Sequence, residues 1–206
     1  MPESTLQRPD RPGYFEQMFA ASDDPWGFKS RWYEERKRAL TLACLPAMRY
    51  AHGFEPGCAN GELSASLATR CDRLLVSDGV DPAVDLARQR LKGHSNVEVR
   101  KAWLPGDWPD EKFDLIVLSE FLFYLQPAVV EEIAVKARTS LITGGTILAC
   151  HWRHPIEGCV VTGDSAHETL SRVIGLPHQC RVPESELRID VWSAARRVAQ
   201  QEGLVD

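Results

Sequence analysis

The stretch FEPGCANGELS, residues 54–64, has the form of a glycine-rich loop that joins a strand to a helix. Its two glycines, Gly57 and Gly61, would let the backbone approach a ligand closely. The first N–H groups of the helix would bind a carboxylate or another polar group. A dinucleotide-binding loop has the pattern GxGxxG, but the middle position here is Ala59. The preceding acid, Glu55, would repel a pyrophosphate, so the loop predicts a ligand with a cationic, amino-acid-like end.

A second acid, Asp78, ends the strand-like stretch LLVSD and lies 21 residues after Gly57. An acid about 20 residues beyond such a loop can accept hydrogen bonds from both ribose hydroxyls of a bound nucleoside. Asp81 could compete for this role, although at a helix start it is also an ordinary partner of the helix N-terminus. A ligand with a ribose and a cationic amino-acid end is S-adenosylmethionine, which we predict as the cofactor.

The elements that must position these residues alternate along the chain. Apolar stretches predict parallel strands at YAHGFEPG, RLLVSD, NVEVRKA, KFDLIVLSE and GGTILACHW, and HQCRV and LRIDVW predict a closing antiparallel pair. Helical spacing of apolar residues predicts helices over 31–45, 61–70, 82–91, 126–141 and 165–174, the last opened by the capping-box spacing of SAHE. The fold class is therefore α/β, with a doubly wound, seven-stranded, mostly parallel sheet whose last strand is antiparallel.

Composition excludes several other classes of protein. The chain has 206 residues, a net charge of -5 and no basic stripe, so nucleic acid is not an expected partner. No apolar run approaches the roughly 18 residues of a membrane span, and no apolar signal region is present, so a cytoplasmic location is expected. The six cysteines form no CxxC pair, and HWRH lacks an accompanying ligand cluster, so no metal is predicted. We expect a flexible arm over 1–13 and one domain over 14–206, as a monomer or weak homodimer.

Four motifs carry a resemblance to a known family. EPGCANGELS, the strand end at Asp78, FDLIVLSEFLFYL and GGTILACHWRH follow the order and spacing of class I S-adenosylmethionine-dependent methyltransferases. The resemblance covers roughly residues 24–192, and DDPWGFKSRWYEERK, GCANG and HWRHP…TGDSAHE look closest to the nodulation protein S family. It implies a Rossmann-like sandwich with N-terminal helices over the cofactor. It also implies methyl transfer to a small molecule, as N-methylation of an amine of the amino-sugar or oligosaccharide type.

The resemblance and the loop together give a set of expected cofactor contacts. Tyr33 and Lys37 are four residues apart and share a helix face; Lys37 or Trp26 is predicted to contact the methionine carboxylate, with Arg36 as a rival. The family often has an acid where this chain has Trp103, so backbone groups there are expected to meet the adenine. The predicted cofactor-binding residues are Trp26, Tyr33, Lys37, Glu55, Gly57, Cys58, Ala59, Gly61, Asp78, Gly79, Ala102, Trp103 and Ser119.

Acid–base residues follow the fourth and fifth strands at the same edge of the sheet. His151, Tyr124 and Glu120 are the predicted catalytic residues, because a histidine or a glutamate can take the proton of an amine and an aromatic ring can stabilise a sulfonium. Arg153 and His167 are the predicted substrate contacts. The alternatives are ordinary surface histidines, a solvated acid at a helix start and a core tyrosine.

Two other functions remain open on the sequence. An NAD(P)-dependent oxidoreductase would use a similar sheet, although GxGxxG is missing. A non-catalytic protein could keep the fold for binding a partner, although Glu55, Gly57, Gly61 and Asp78 are all present.

Overall fold

A computed structural model of the protein describes residues 12–206. The arm predicted over residues 1–13 lies outside the described residues, apart from Pro12 and Gly13, with which the first helix begins. The helices are α1 Pro12–Ala21, α2 Trp32–Ala43, α3 Glu62–Ala68, α4 Asp81–Leu91, α5 Pro127–Ser140, α6 Gly163–Ile174 and α7 Val198–Gln201. The strands are β1 Tyr50–Pro56, β2 Cys71–Asp78, β3 Val97–Lys101, β4 Phe113–Ser119, β5 Leu141–Trp152, β6 His178–Pro183 and β7 Leu187–Ser193.

The seven strands form one sheet in the order β3-β2-β1-β4-β5-β7-β6. The pairs β1–β2, β2–β3, β1–β4 and β4–β5 are parallel, and β7 is antiparallel to both β5 and β6. The predicted doubly wound sheet with an antiparallel last strand is confirmed. The strand order reverses between β1 and β4, and ligands of such sheets bind at the carboxyl ends of the strands at that point.

Helices cover both faces of the sheet, which explains the apolar runs of the central strands. On one face, Leu67 of α3 and Leu91 of α4 pack on Leu74 and Val76 of β2. On the other face, α5 and α6 pack on β4 and β5 through a second cluster that includes Ile133, Leu170 and Ile147. α5 begins at Pro127, where a missing N–H is harmless, and its predicted apolar stripe is buried.

Two local features differ from the sequence-based expectation. The cap of α6 is not Ser165 but Thr162, whose Oγ1 accepts the Ser165 N–H at 3.1 Å while Ser165 Oγ accepts the Thr162 N–H at 2.9 Å. The helix starts earlier because Gly163 fits against β5, where a Cβ would lie 2.1 Å from the Trp152 carbonyl oxygen. α1 was not predicted, although Phe15 and Phe19 are at helical spacing.

Within residues 12–206, no helix is long and apolar enough to cross a membrane.

Candidate functional site

Two neighbouring cavities lie at the carboxyl ends of β1, β2 and β4. The larger has a volume of about 160 Å³ and the smaller about 50 Å³. They share the lining residues Phe28, Glu34, Gly57, Ala59 and Glu120. The site therefore lies where the strand order reverses, as the fold predicts.

The loop after β1 forms its turn with three left-handed residues. Gly57, Ala59 and Gly61 have φ values of 70°, 49° and 80°. The non-glycine residue is held in place by a side chain, because the Ala59 N–H donates to Asp78 Oδ2 at 3.0 Å. Gly57 and Ala59 line both cavities. Gly61 faces α4 instead, where a Cβ would lie 3.2 Å from the Ala87 Cα, so its role is helix packing and not the predicted cofactor contact.

Asp78, at the end of β2, lines the larger cavity. Its Oδ1 also accepts the Val80 N–H at 3.3 Å. Burial raises the pKa of Asp78 above its ordinary value, although its backbone hydrogen bonds oppose the shift. The rival acid, Asp81, is exposed and pairs with Lys101 at 2.7 Å. Of the two acids, the structure therefore places Asp78 at the cavity.

The segment after β3 lines the larger cavity with Ala102, Trp103 and Leu104. The Trp103 ring lies against Gly79, where a Cβ would come within 2.1 Å of the ring, so only glycine fits there. The Ala102 N–H donates to the Asp78 carbonyl oxygen at 2.9 Å, and the Trp103 N–H donates to Asp107 Oδ2 at 2.8 Å. Both N–H groups are therefore already used. These N–H groups are not free for the adenine, whose amine would need a carbonyl oxygen, and a contact with backbone groups of this segment stays a prediction. The Trp103 ring lines the larger cavity.

Three charged side chains lie together: Glu34 and Lys37 of α2, which are buried, and Glu120 after β4, whose side chain is 19% exposed. Lys37 Nζ is 2.8 Å from Glu34 Oε2 and 3.5 Å from Glu120 Oε2. Burial by itself would lower the pKa of Lys37, but the carboxylates of Glu120 and Glu34 raise it above its ordinary value. Lys37 was predicted to bind a ligand carboxylate, yet its ammonium is already paired with two acids. The predicted rival, Arg36, pairs with Glu184 at 2.6 Å and lines neither cavity.

Glu120 has a strained position at the edge of both cavities. Its φ of 59° lies in the left-handed region, which costs energy for a non-glycine residue. Its Oε1 accepts the Trp152 N–H at 2.9 Å, and its Oε2 faces Lys37. Burial raises the pKa of Glu120, and Lys37 opposes this effect. The Glu120 carboxylate therefore takes up a proton more easily than an ordinary glutamate does.

The smaller cavity is lined by two residues that each have a buried side-chain oxygen without a hydrogen-bond partner among residues 12–206. Glu55 is 2% exposed, and neither its Oε2 nor Asn60 Oδ1 has a hydrogen-bond partner within the described part of the chain. Burial raises the pKa of Glu55 to about 8, and the nearby Asp78 adds to the shift. Cys58 and Ser119 line the same cavity. A ligand with an ammonium group fits this wall, because it would supply the donors that these atoms lack.

Seven aromatic side chains, called the aromatic wall below, line the larger cavity. Its rings are Phe15, Phe19, Trp26, Phe28, Phe121, Phe123 and Tyr124, and only Trp26 and Tyr124 of these were predicted. Phe15 and Tyr124 meet edge to face at 5.1 Å, and Phe19 and Trp26 at 5.5 Å. The spacing of Phe15 and Phe19 was the sequence signal that could have revealed the α1 part of this wall.

The predicted catalytic base, His151, is buried beside the wall and lines neither cavity. Its Nε2 accepts the Leu122 N–H at 3.4 Å, and its Nδ1 lies 3.1 Å from His167 Nε2. His167 Nδ1 in turn lies 2.7 Å from Asp190 Oδ2. Both histidines are completely buried, so the roles assigned to them at the ligand-binding edge need correction. They hold the segment that carries Phe121 to Tyr124.

The hydrogen bonds that link His151, His167 and Asp190 determine which of their atoms carry protons. Burial by itself would raise the pKa of Asp190, but hydrogen bonds from His167, Arg181 and Arg188 hold it far below its usual range. Burial lowers the pKa of both His151 and His167. Asp190 is therefore ionised and accepts from His167 Nδ1–H. A neutral His167 then accepts from His151 Nδ1–H, which leaves His151 Nε2 as the acceptor for Leu122.

Two further predicted residues also lie away from the cavities. Arg153 binds Asp164 at 2.9 Å and donates to the Glu184 carbonyl oxygen, so its hydrogen bonds tie β5 to α6 and not to a substrate. Tyr33 packs edge to face on Trp152 at 5.4 Å. Its ring lies 5.3 Å from Lys37 Nζ, as expected for residues on one helix face.

The comparison with known proteins agrees with this geometry. Residues 14–156 match the family model of nodulation protein S, NodS. The chain belongs to the nodulation protein S family. The resemblance seen in the sequence is therefore confirmed.

Individual members of the family share about a third of their aligned residues with this chain. Nodulation protein S of Rhizobium tropici is 36% identical over 110 residues, which are 51% of this chain and 44% of the relative. The protein of Sinorhizobium fredii (strain NBRC 101917 / NGR234) is 32% identical over 127 residues, 59% of this chain and 57% of the relative. The NodS-family chain described here spans about half the length of the curated relatives it matches.

Two solved structures are similar over most of the chain. One is a candidate methyltransferase from Pseudomonas syringae, with 45% identity and a TM-score of 0.72, covering 79% of this chain and 99% of the other. The second is the N-methyltransferase NodS from Bradyrhizobium japonicum WM9 in complex with S-adenosyl-l-homocysteine. It has 25% identity and a TM-score of 0.81, and the match covers 88% of this chain and 97% of the other.

Proposed function

We propose that this protein transfers a methyl group from S-adenosylmethionine to the amine of a small molecule. The observation that carries the proposal is the buried Glu55 Oε2, which has no hydrogen-bond partner among residues 12–206 and belongs to the cavity next to the one that Asp78 lines. A cationic amino-acid end and a ribose would satisfy these two acids together. The similar NodS from Bradyrhizobium japonicum is an N-methyltransferase in complex with S-adenosyl-l-homocysteine, which supports the same ligand here.

The lining residues provide a place for each part of the cofactor. Asp78 would accept hydrogen bonds from the ribose hydroxyls, and the base would lie beside Gly79, Ala102 and Trp103. The ammonium would face Glu55 and the amide oxygen of Asn60. Gly57, Cys58, Ala59 and Ser119 would border the methionine chain. The methionine carboxylate would reach Lys37 from the smaller cavity, in competition with Glu34 and Glu120.

The bound cofactor supplies a methyl group that is already activated by its positive sulfur. The protein's contribution is positioning, removal of a proton and exclusion of water. Glu120 lines both cavities and has a raised pKa, so it is the base we propose in place of His151. The rings of Trp26 and Tyr124 line the larger cavity and would stabilise the sulfonium.

Calorimetry tests the proposal with a matched pair of variants. The wild-type protein should bind S-adenosylmethionine and S-adenosylhomocysteine, and Asp78→Ala should weaken the binding of both. Loss of charge-assisted hydrogen bonds costs about 1.5–3 kcal/mol, which is about tenfold or more in affinity. Asp81→Ala removes an equivalent but exposed acid, so affinity should change less than about threefold.

The alternatives give different results in the same experiment. Absence of heat with both ligands on folded protein would contradict the proposal, and binding of reduced nicotinamide would favour an oxidoreductase. A larger loss of affinity in Asp81→Ala than in Asp78→Ala would contradict the placement of the ribose beside Asp78. A cytoplasmic location and a monomeric or weakly dimeric state stay predictions from the sequence, and size-exclusion chromatography checks the latter.

A further inference from the structure

Two cationic side chains, Lys37 and Arg38, line the smaller cavity within residues 12–206. The ammonium and the carboxylate of an amino-acid end are bonded to the same carbon atom. Because the ammonium of the proposed cofactor faces Glu55, its carboxylate lies in the same cavity, near these two cations. Arg38 already donates from Nη1 to the Phe28 carbonyl oxygen at 2.7 Å. Lys37 is only 5% exposed, so its charge is little screened by solvent and attracts the carboxylate more strongly.

Lys37 is already held by Glu34, which lies three residues earlier on α2. Its Nζ is 2.8 Å from Glu34 Oε2, and the two side chains are 6% and 9% exposed. Residues at this spacing share a helix face, so the ion pair follows from the helix itself. Glu120 is farther from the ammonium, at 3.5 Å, and its other oxygen accepts the Trp152 N–H. Glu34 is therefore the nearer partner that a ligand carboxylate meets at Lys37.

A bound carboxylate would be the third acid around a single ammonium. Glu34 and Glu120 both line the smaller cavity, and both lie within 3.5 Å of Lys37 Nζ. Charges of one sign repel each other, and shielding from water leaves this repulsion strong. Glu34 therefore weakens the attraction between Lys37 and the carboxylate of the ligand.

The same Glu34 charge has the opposite effect on the sulfur of the cofactor. Glu34 lines the larger cavity together with Asp78 and Glu120, and no lysine, arginine or histidine lines it among residues 12–206. Acids of one sign attract a cation, and the sulfur of S-adenosylmethionine is positive. The sulfur of S-adenosylhomocysteine is neutral and gains nothing from these acids.

We infer that Glu34 gives the site its preference for S-adenosylmethionine over S-adenosylhomocysteine. Glu34 competes for Lys37 with the carboxylate that both ligands have, and it attracts the positive sulfur that only the cofactor has. The product is thereby released more easily after methyl transfer. The inference rests on the proposed function and specifies how the same site distinguishes its cofactor from its product.

Calorimetry with Glu34→Gln tests the inference, because glutamine keeps the shape of the side chain and removes its charge. S-adenosylhomocysteine should bind about three- to tenfold more tightly to the variant than to the wild type, since one charge that opposes its carboxylate is gone. S-adenosylmethionine should gain less than about twofold or lose affinity, because the variant has also lost an attraction for the sulfonium.

Glu35→Gln is the matched control for the same measurement. Glu35 is the next residue of α2, is exposed and lines neither cavity. The affinities of this variant for both ligands should stay within about twofold of the wild type, because an exposed charge is screened by solvent.

A ligand without the carboxylate isolates the competition for Lys37. Decarboxylated S-adenosylhomocysteine, 5′-deoxy-5′-(3-aminopropylthio)adenosine, keeps the nucleoside, the neutral sulfur and the ammonium. Its affinity should not rise in Glu34→Gln, because it has no carboxylate to place beside Lys37.

Several results of these titrations would overturn the inference. They are an unchanged or lower affinity of Glu34→Gln for S-adenosylhomocysteine, and an equal gain for S-adenosylmethionine or for the decarboxylated ligand. A loss of affinity in Arg38→Met for S-adenosylhomocysteine but not for the decarboxylated ligand would place the carboxylate on Arg38 and would also contradict it. Failure of the wild-type protein to bind either S-adenosylmethionine or S-adenosylhomocysteine would instead overturn the proposed function.

Discussion

Replacing Glu55 with glutamine should stabilise the ligand-free protein, and more so as the pH rises. The Glu55 side chain is buried at 2% exposure, and one of its oxygens has no hydrogen-bond partner among the described residues. Burial raises its pKa from 4.5 to about 8. Between these two values the folded protein keeps a proton that the unfolded chain has lost. The free energy of unfolding therefore falls with rising pH, because the unfolded state binds fewer protons.

The size of the effect follows from the pKa shift. Each pKa unit corresponds to about 1.4 kcal/mol, so the raised pKa costs about 3 kcal/mol at pH 7 and about 4 kcal/mol at pH 8. Below about pH 4 both states bind the proton and the cost disappears. Glutamine carries no titratable proton and avoids this penalty. The difference in unfolding free energy between Glu55→Gln and wild type should therefore increase by about 3 kcal/mol from pH 5 to pH 8.

Urea denaturation at pH 5, 6, 7 and 8 measures that difference, in which the titration of groups that do not interact with Glu55 cancels. Glu35→Gln is the matched control, because Glu35 is exposed on α2 and the same substitution there should give a nearly constant difference. A difference for Glu55→Gln that is also constant across the range would refute the reasoning. It would show that Glu55 ionises in the folded protein as it does in the unfolded chain.

Two further outcomes concern the buried charges. Lys37→Met should lower the free energy of unfolding by about 3–5 kcal/mol at pH 7 and by less at pH 5, because Glu34 and Glu120 lose their buried partner and burial raises the pKa of Glu120, which therefore takes up a proton more easily in acid. Urea denaturation at both pH values measures this, and equal losses would contradict the explanation. His167→Ala should cost about 1–3 kcal/mol and accelerate hydrogen exchange of the Leu122 amide, which an unchanged exchange rate would disprove.

Much of the fold could be predicted because local sequence and final structure impose the same constraint. Strands such as β4 are covered by helices on both faces, so their sequences are almost continuously apolar and easy to recognise. The spacing from Gly57 to Asp78 similarly follows from one strand–loop–helix–strand unit. Glu55 and Asp78 could therefore be placed at the ligand-binding edge from the sequence alone.

The sequence by itself thus determined the sheet, the loop and the two acids at the carboxyl ends of β1 and β2, since each depends on residues that are close along the chain. Only the tertiary structure decided which neighbouring side chains reach the cavities. His151 follows β5 at the expected edge, yet it is buried because His167 and Asp190 complete its hydrogen bonds from distant elements. Lys37 is paired because α2 brings it to Glu120 at the end of β4. Such pairings depend on how elements that are distant in sequence pack together, so a local sequence pattern does not predict them.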